Sequence, residues 1–272
     1  MSPERFFELM LAELEHQPSM HAYYKFLGAA SSFEFRKNYF LKRLHYIWKH
    51  LQGAHEASIL DVGCGYGTTC LFLAMNGIRT HGTTLEFYYQ LIEERKAYWA
   101  PYGDVSLFSC SYENLYDTPP APLSCDWIVV QDTLHHLEPI GDALHIFHKA
   151  LKPGGRILAI EENGSNIIQR AKLYKYRGNK RIISVWDEHL QKQITMGNEN
   201  IRPLAAWKAL MAGNHFEVDD ASVYYVRYYL PFWYKRRDAQ AIATAEDALQ
   251  AKPSAKREYF FFGLNFIAEK KA

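Results

Sequence analysis

Apolar residues follow two rhythms along the chain. From residue 3 to 52 they recur at mixed three- and four-residue spacings, at Phe6, Phe7, Leu9, Met10, Leu11 and Leu14 and again over Phe33–Leu51, the period of helices with one buried face. From 58 to 162, short runs of strand character alternate with helical stretches. A parallel α/β sheet demands that succession, because each crossover between parallel strands needs a covering helix. Segment 163–203 breaks the rhythm with a polar, basic stretch. Helical spacing returns at 203–212 and closes on Gly213-Asn214, followed by Phe216-Glu217-Val218 and a tyrosine-rich strand around 222–229. The final strand reads as 258–269, with Tyr259-Phe260-Phe261-Phe262 as its apolar start. These breaks predict an N-terminal helical cap over 1–52, a core over 53–162, an inserted cap over 163–203 and the remainder of the core sheet over 204–272. No internal repeat is present.

Ile59–Val62 is an apolar strand that runs into a loop with glycine at every second position, Gly63, Gly65 and Gly67. Glycine lets the chain turn through dihedrals other residues avoid and removes side chains that would hold a ligand off the backbone. The spacing is not the dinucleotide fingerprint Gly-x-Gly-x-x-Gly, whose third glycine would fall on Thr68. Asp61, inside the strand end, is also foreign to that fingerprint. With Asp61, Gly63, Cys64, Gly65 and Gly67 in these places, the run resembles motif I of the class I S-adenosylmethionine-dependent methyltransferases.

Further stations of that family follow in order. Residues 78–86, Ile-Arg-Thr-His-Gly-Thr-Thr-Leu-Glu, resemble the second strand, whose end carries an acid for the ribose hydroxyls. Aligned by Gly82 that position is Thr84, and the nearest acid is Glu86. Threonine after this glycine is familiar among lipid-modifying members. At 110–115 the adenine station has Ser111 where relatives carry aspartate, with Tyr112 available to pack on the adenine face; an ordinary loop is the other reading. The run 125–137 resembles the fourth strand and its loop, with Gln131 near the strand end and Leu134-His135-His136-Leu137 after it. Leu151-Lys152-Pro153-Gly154-Gly155 leads into a fifth strand ending at Glu161. The resemblance implies a Rossmann-like, doubly wound, mostly parallel seven-stranded sheet with helices on both faces, plus the N-terminal helices and a helical insert after strand five. It also implies S-adenosyl-L-methionine as cofactor and S-adenosyl-L-homocysteine as product.

Composition narrows the partners. Lys and Arg number 31 against 30 Asp and Glu, so no whole-molecule charge draws the chain to nucleic acid or an anionic membrane. The start of the chain lacks a signal-peptide pattern and no run has the length of a membrane span, which points to the cytoplasm. Cysteines 64, 70, 110 and 125 form no Cys-x-x-Cys pair and suggest neither zinc nor disulfides. The basic run 170–181, interleaved with tyrosines, is either a solvated helix face or a clamp for an acidic substrate. Nucleic acid is disfavoured, because Gln131-Asp132-Thr133-Leu134 stands where base-modifying relatives carry Asn/Asp-Pro-Pro-aromatic. Nothing in the sequence gives the oligomeric state.

A sulfonium methyl is already activated, so the protein chiefly aligns the reactants and adds a base where the acceptor holds its proton tightly. His135 and His136, at the carboxyl edge of the sheet where such folds bind ligands, are the first candidates. Glu161 and Glu162 are alternatives, either as substrate-facing carboxylates or as a cap for the next turn. Asp132, Glu162 and Asn163 resemble the ligands of magnesium-dependent catechol methyltransferases, but that family's carboxylate after strand four falls on Gln131, so no metal is expected. His145 and His148 read as surface residues. Tyr23, Tyr24, Phe26 and Phe33, with Gly28, Ser31 and Ser32 beside them, line a substrate entrance or simply pack helices. An aromatic content of 15% motivates methylation of a small aromatic or apolar acceptor, most naturally at oxygen. Carbon methylation of a lipid or polyketide chain and a cofactor-binding subunit without catalysis remain the alternatives.

Overall fold

The computed structural model describes residues 1–28 and 32–271; Ser31, expected beside the entrance, lies outside them. Helix α1 (Pro3–His16) starts where the Ser2 hydroxyl accepts from the Arg5 amide and Pro3 fixes the first turn. It is followed by α2 (Pro18–Tyr24) and α3 (Phe33–Leu51). The core then alternates: β1 (Ile59–Val62), α4 (Thr68–Ala74), β2 (Thr80–Thr84), α5 (Ile92–Trp99), β3 (Phe108–Tyr112), β4 (Cys125–Gln131), α6 (Ile140–Ala150) and β5 (Leu151–Glu162). After it come α7 (Ile167–Arg177), β6 (Ile182–Asp187), β7 (Lys192–Gly197), α8 (Leu204–Gly213), β8 (Phe216–Val226), α9 (Ala239–Gln250), α10 (Ala255–Phe260) and β9 (Gly263–Lys270).

Seven strands form the central sheet in the order β3-β2-β1-β4-β5-β9-β8, parallel except that β9 runs antiparallel to β5 and β8. The order reverses between β1 and β4, which opens a crevice at the carboxyl ends of those strands. Period-two alternation sends Val129 and Leu158 to one face and Ile128, Val130, Ile157 and Ala159 to the other. The first face packs α1, α3, α4 and α5, with Phe6 stacked 4.4 Å from Trp99 and edge-on to Phe72 at 5.2 Å. The second packs α6 and α8 through Leu144, Phe147, Trp207 and Met211.

Two expectations are corrected. The insert after strand five is half β: beyond α7 the chain forms the antiparallel hairpin β6–β7, whose alternating residues hid in a basic, irregular stretch. Tyr259 and Phe260 belong to α10 rather than to the last strand, because the Ser254 hydroxyl accepts from the Arg257 amide and starts a helix there; β9 begins only at Gly263.

Candidate functional site

Two adjoining cavities open at the switch point, of about 390 and 290 Å³, and share Tyr23, Gly63, Gly65, Gln131 and Asp132 in their walls. The glycine loop is the floor between them. Gly63, Gly65 and Gly67 all have positive φ, at 78°, 54° and 69°. Each glycine has a different reason. A Cβ on Gly63 would sit 2.2 Å from Thr133 Oγ1 and one on Gly67 2.4 Å from Phe108 Cζ, whereas one on Gly65 would meet nothing within 4 Å. Gly63 and Gly67 thus permit packing, and Gly65 leaves open space at the cavity surface.

A buried ion pair holds this loop from behind. Arg95 donates to Glu13 at 2.8 Å twice, to the Tyr66 carbonyl at 2.6 Å and to Thr68 Oγ1 at 2.8 Å, while Trp99 Nε1 donates to Glu13 at 2.9 Å. Both charged side chains are fully buried. One contact set therefore joins α1, α5 and the turn that ends the glycine loop.

The predicted cofactor residues fall in different places. Gly63, Gly65, Thr84, Glu86 and Gln131 line the larger cavity, and Cys64 lines the smaller one. Gln131 also donates to Thr69 on α4. Asp61 lies beneath the loop, 1% exposed, with the Cys70 thiol as its partner at 3.4 Å. Burial pushes its carboxyl up to about 7, against the lowering effect of that thiol. Gly67 serves the turn into α4. At the adenine station, Ser111 bonds His81 at 3.1 Å, and the Tyr112 hydroxyl donates to the Leu85 carbonyl and Asp187, both at 2.8 Å, so neither faces the cavity. Its wall there is Glu113, Asn114 and Leu115, because β3 ends at Tyr112 and the chain turns only after it.

His135, His136 and Glu162 reach the same cavity, whereas Glu161 is fully buried behind it. His135 is buried; its Nδ1 donates to Glu161 at 2.5 Å, and its Nε2 stands 3.7 Å from Glu199. Burial alone would lower its pKa, but Glu161, with Asp132 and Glu199, raises it to about 9. Glu161 also accepts from the Thr133 and Leu134 amides and shapes the loop after β4. His136 Nδ1 donates to the Gly197 carbonyl at 2.8 Å, which leaves Nε2 with a lone pair. Glu162 receives both 2.8 Å contacts of Arg227, and burial pushes its carboxyl up while Arg227 pulls it down.

Sequence reasoning missed the charges opposite. Arg43 of α3 donates to Asp132 at 2.6 Å, and Tyr39 lies under both guanidiniums, 5.1 Å from Arg43 and 4.7 Å from Arg227. Tyr39 OH, Arg43 Nε, Asp132 Oδ1 and Arg227 Nε are buried without partners among the described residues. Such unpaired groups are costly unless a ligand satisfies them. Donors and an acceptor suited to a carboxylate and an ammonium therefore converge beside the glycine floor, which fits an adenosyl cofactor carrying an amino-acid tail. The hairpin supplies Ile194, Thr195 and Met196 to the other wall and is fixed by the Gly197 amide donating to the His136 carbonyl at 2.8 Å.

Comparisons with known proteins bear on the family and the fold. The sequence profile of the methyltransferase domain matches residues 32–196. The chain is 32% identical over 105 residues to the S-adenosyl-L-methionine-dependent Diels-Alderase iccD of Talaromyces variabilis, covering 38% of this chain and 35% of that protein. It is 31% identical over 116 residues to the ubiquinone biosynthesis O-methyltransferase of Idiomarina loihiensis, covering 42% and 46%. These matches span less than half the length of either relative. Among solved structures, geranyl diphosphate C-methyltransferase from Streptomyces coelicolor A3(2) has a TM-score of 0.58 at 17% identity, covering 89% of this chain and 83% of that one. The YcgJ protein of Bacillus subtilis has a TM-score of 0.56 at 15% identity, covering 85% and 99%. Likeness at this identity speaks to the fold alone. With the profile spanning more than half of its residues over the glycine loop, the switch point and the strands around them, the chain belongs to the class I S-adenosylmethionine-dependent methyltransferases.

Proposed function

We propose that this protein methylates a small aromatic or apolar molecule at oxygen. The observation that carries the reading is one cavity whose walls join the glycine floor, Glu86 and a histidine with a free ring nitrogen, His136. The cofactor, when bound, supplies a methyl group activated by its positive sulfur. Gly63 and Gly65 let the backbone lie against it, Glu86 accepts the ribose hydroxyls, and Arg43, Tyr39 and Asp132 hold the amino-acid tail. Leu115, Leu137, Ile194 and Met196 give the acceptor an apolar bed and exclude water. His136 Nε2 takes the acceptor's hydroxyl proton. His135 and Glu162 are already engaged, with Glu161 and Arg227, and position the walls rather than move protons.

Carbon methylation of an apolar chain is the second reading, favoured by the apolar bed and needing the same aligned geometry. The test incubates the full chain with labelled S-adenosylmethionine and a panel of phenolic, carboxylate, amine and lipid acceptors. Label transferred to a phenolic oxygen is the expected result. Transfer to carbon establishes the second reading. Cyclisation of an acceptor with no methyl lost, or no cofactor binding by calorimetry, overturns both. No helix among the described residues is long and apolar enough to cross a membrane.

A further inference from the structure

We propose that His135, His136 and Glu199 form a binding site for one first-row divalent transition-metal ion of the zinc class in the wall of this cavity. One ligand atom from each of the three lies within 4.8 Å of the others. Around a tetrahedral ion with bonds of about 2.0–2.2 Å, donor atoms stand about 3.4 Å apart. The His135 Nε2 to Glu199 contact, at 3.7 Å, is nearly there already. Rotation of the Glu199 side chain, 38% exposed, closes the rest.

The stronger argument lies behind the ligands. A histidine that binds a metal through one nitrogen almost always donates its other ring N–H to a carboxylate or carbonyl, which fixes the tautomer and aims the free lone pair. Both histidines have that support, His135 from Glu161 at 2.5 Å and His136 from the Gly197 carbonyl at 2.8 Å. His135 Nε2 stands 3.7 Å from Glu199, where a bound ion would displace its proton, and the Nδ1 bond of His136 leaves its Nε2 for the ion. Charge points the same way: among the described residues Asp132, Glu161, Glu162 and Glu199 stand against the guanidiniums of Arg43, Arg227 and Arg177, an excess of one carboxylate once the histidines are neutral ligands. Glu199 is also held at φ 53°, a left-handed conformation that non-glycine residues rarely adopt. Such outliers gather at functional sites. Two imidazoles and one carboxylate suit zinc, cobalt, manganese or iron rather than magnesium or calcium, which prefer all-oxygen shells.

The site goes beyond the methyl-transfer reading and does not touch the glycine floor. Its consequence for that reading is that an oxygen acceptor bound at the ion's open position would lose its proton to water more readily, the ion replacing His136 as the acidifying group.

The test titrates the chelator-dialysed full chain with cobalt(II) chloride, followed by visible absorption and calorimetry. One ion per chain is expected, with absorption of nitrogen and oxygen ligands and no sulfur charge transfer. Glu199→Gln and His136→Gln should each weaken binding at least about tenfold, and Glu161→Gln, which does not touch the ion, about 10- to 100-fold. No saturable binding overturns the proposal. So do sulfur bands, which would place the ion at Cys64, Cys70 and Cys110, and so does unchanged affinity in Glu199→Gln with wild-type melting. S-adenosylmethionine binding measured on the same samples tests the methyl-transfer reading separately.

Discussion

The Glu13–Arg95 pair makes a quantitative demand on this fold. Neither side chain touches solvent, and between them they make five hydrogen bonds of 2.6–2.9 Å that reach α1, α5, Trp99 and the Tyr66–Thr68 turn. Removing one partner of such a pair strands the other charge in a region of low dielectric, at a cost of about 3–5 kcal/mol. Glu13→Ala leaves the guanidinium with the neutral groups of Tyr24, Tyr66 and Thr68, and leaves the Trp99 N–H without an acceptor, so it belongs at the upper end. Arg95→Met strands the Glu13 carboxylate beside Trp99 and also frees the Tyr66 carbonyl that shapes the cofactor floor. The double variant Glu13→Leu with Arg95→Met removes both charges and fills similar volume, and should be less destabilised than either single variant. Urea unfolding of the four proteins gives the cycle, and calorimetry with S-adenosylmethionine gives the functional cost. Both single variants should bind the cofactor more weakly even where they remain folded. Single-variant losses below about 1 kcal/mol, or losses that simply add, would refute the claim that one buried charge network holds the floor.

Three further outcomes are expected. Gly65→Leu should still fold, since nothing lies within 4 Å of its Cβ position, at a cost of about 1–2 kcal/mol for a side chain at φ 54°, yet lose cofactor binding; undiminished affinity in calorimetry would remove Gly65 from the floor. Glu86→Ala should weaken cofactor binding by about 1.5–3 kcal/mol, the value of hydrogen bonds to a charged group, and an unchanged Kd would send the ribose role elsewhere. Asp61, held at about 7 instead of the model-peptide 3.8 because burial disfavours its charge, binds its proton more tightly folded than unfolded. Its stabilising contribution is thus complete below about pH 4 and is lost as pH rises through 7, a swing of about 4 kcal/mol. Asp61→Asn should flatten that part of the stability curve, and parallel urea curves at pH 5 and 8 for the two proteins would contradict it.

How much of this was legible in the sequence follows from the range of the forces involved. The strand, glycine loop and helix from 59 to 74 obey local rules of burial and backbone dihedrals, so their order and the positive-φ turns at Gly63, Gly65 and Gly67 are legible directly. Register was less accessible. Ser111 and Tyr112 were chosen by alignment to a station, but the cavity takes Glu113 and Asn114, and the point where β3 stops depends on its pairing with β2. The hairpin β6–β7 lies where the resemblance implies helix, and because Ile182, Val185 and Trp186 are exposed it has no buried face that its sequence must mark. Tyr259 and Phe260 looked like strand residues, and a single serine cap outweighed their propensity.

The charged wall was invisible for a different reason. Arg43 and Asp132 are 89 residues apart and Arg227 and Glu162 are 65 apart, and no spacing rule links positions brought together only by the closed sheet and the helix packed on it. Whole-chain charge concealed them as well. A formal net charge of +1 predicts no strong field anywhere, yet the cavity gathers carboxylates from the tips of β4 and β5 and from the end of the hairpin, then compensates only part of that charge with the guanidiniums of Arg43, Arg227 and Arg177. Coulomb interactions in a site of low dielectric are set by neighbours within a few ångströms, not by the molecular sum. Such a cavity discriminates by local charge: its orphaned guanidinium and carboxylate atoms lie on one side and the apolar Leu115, Leu137, Ile194 and Met196 on its walls, so charged and uncharged groups of a ligand meet different surfaces.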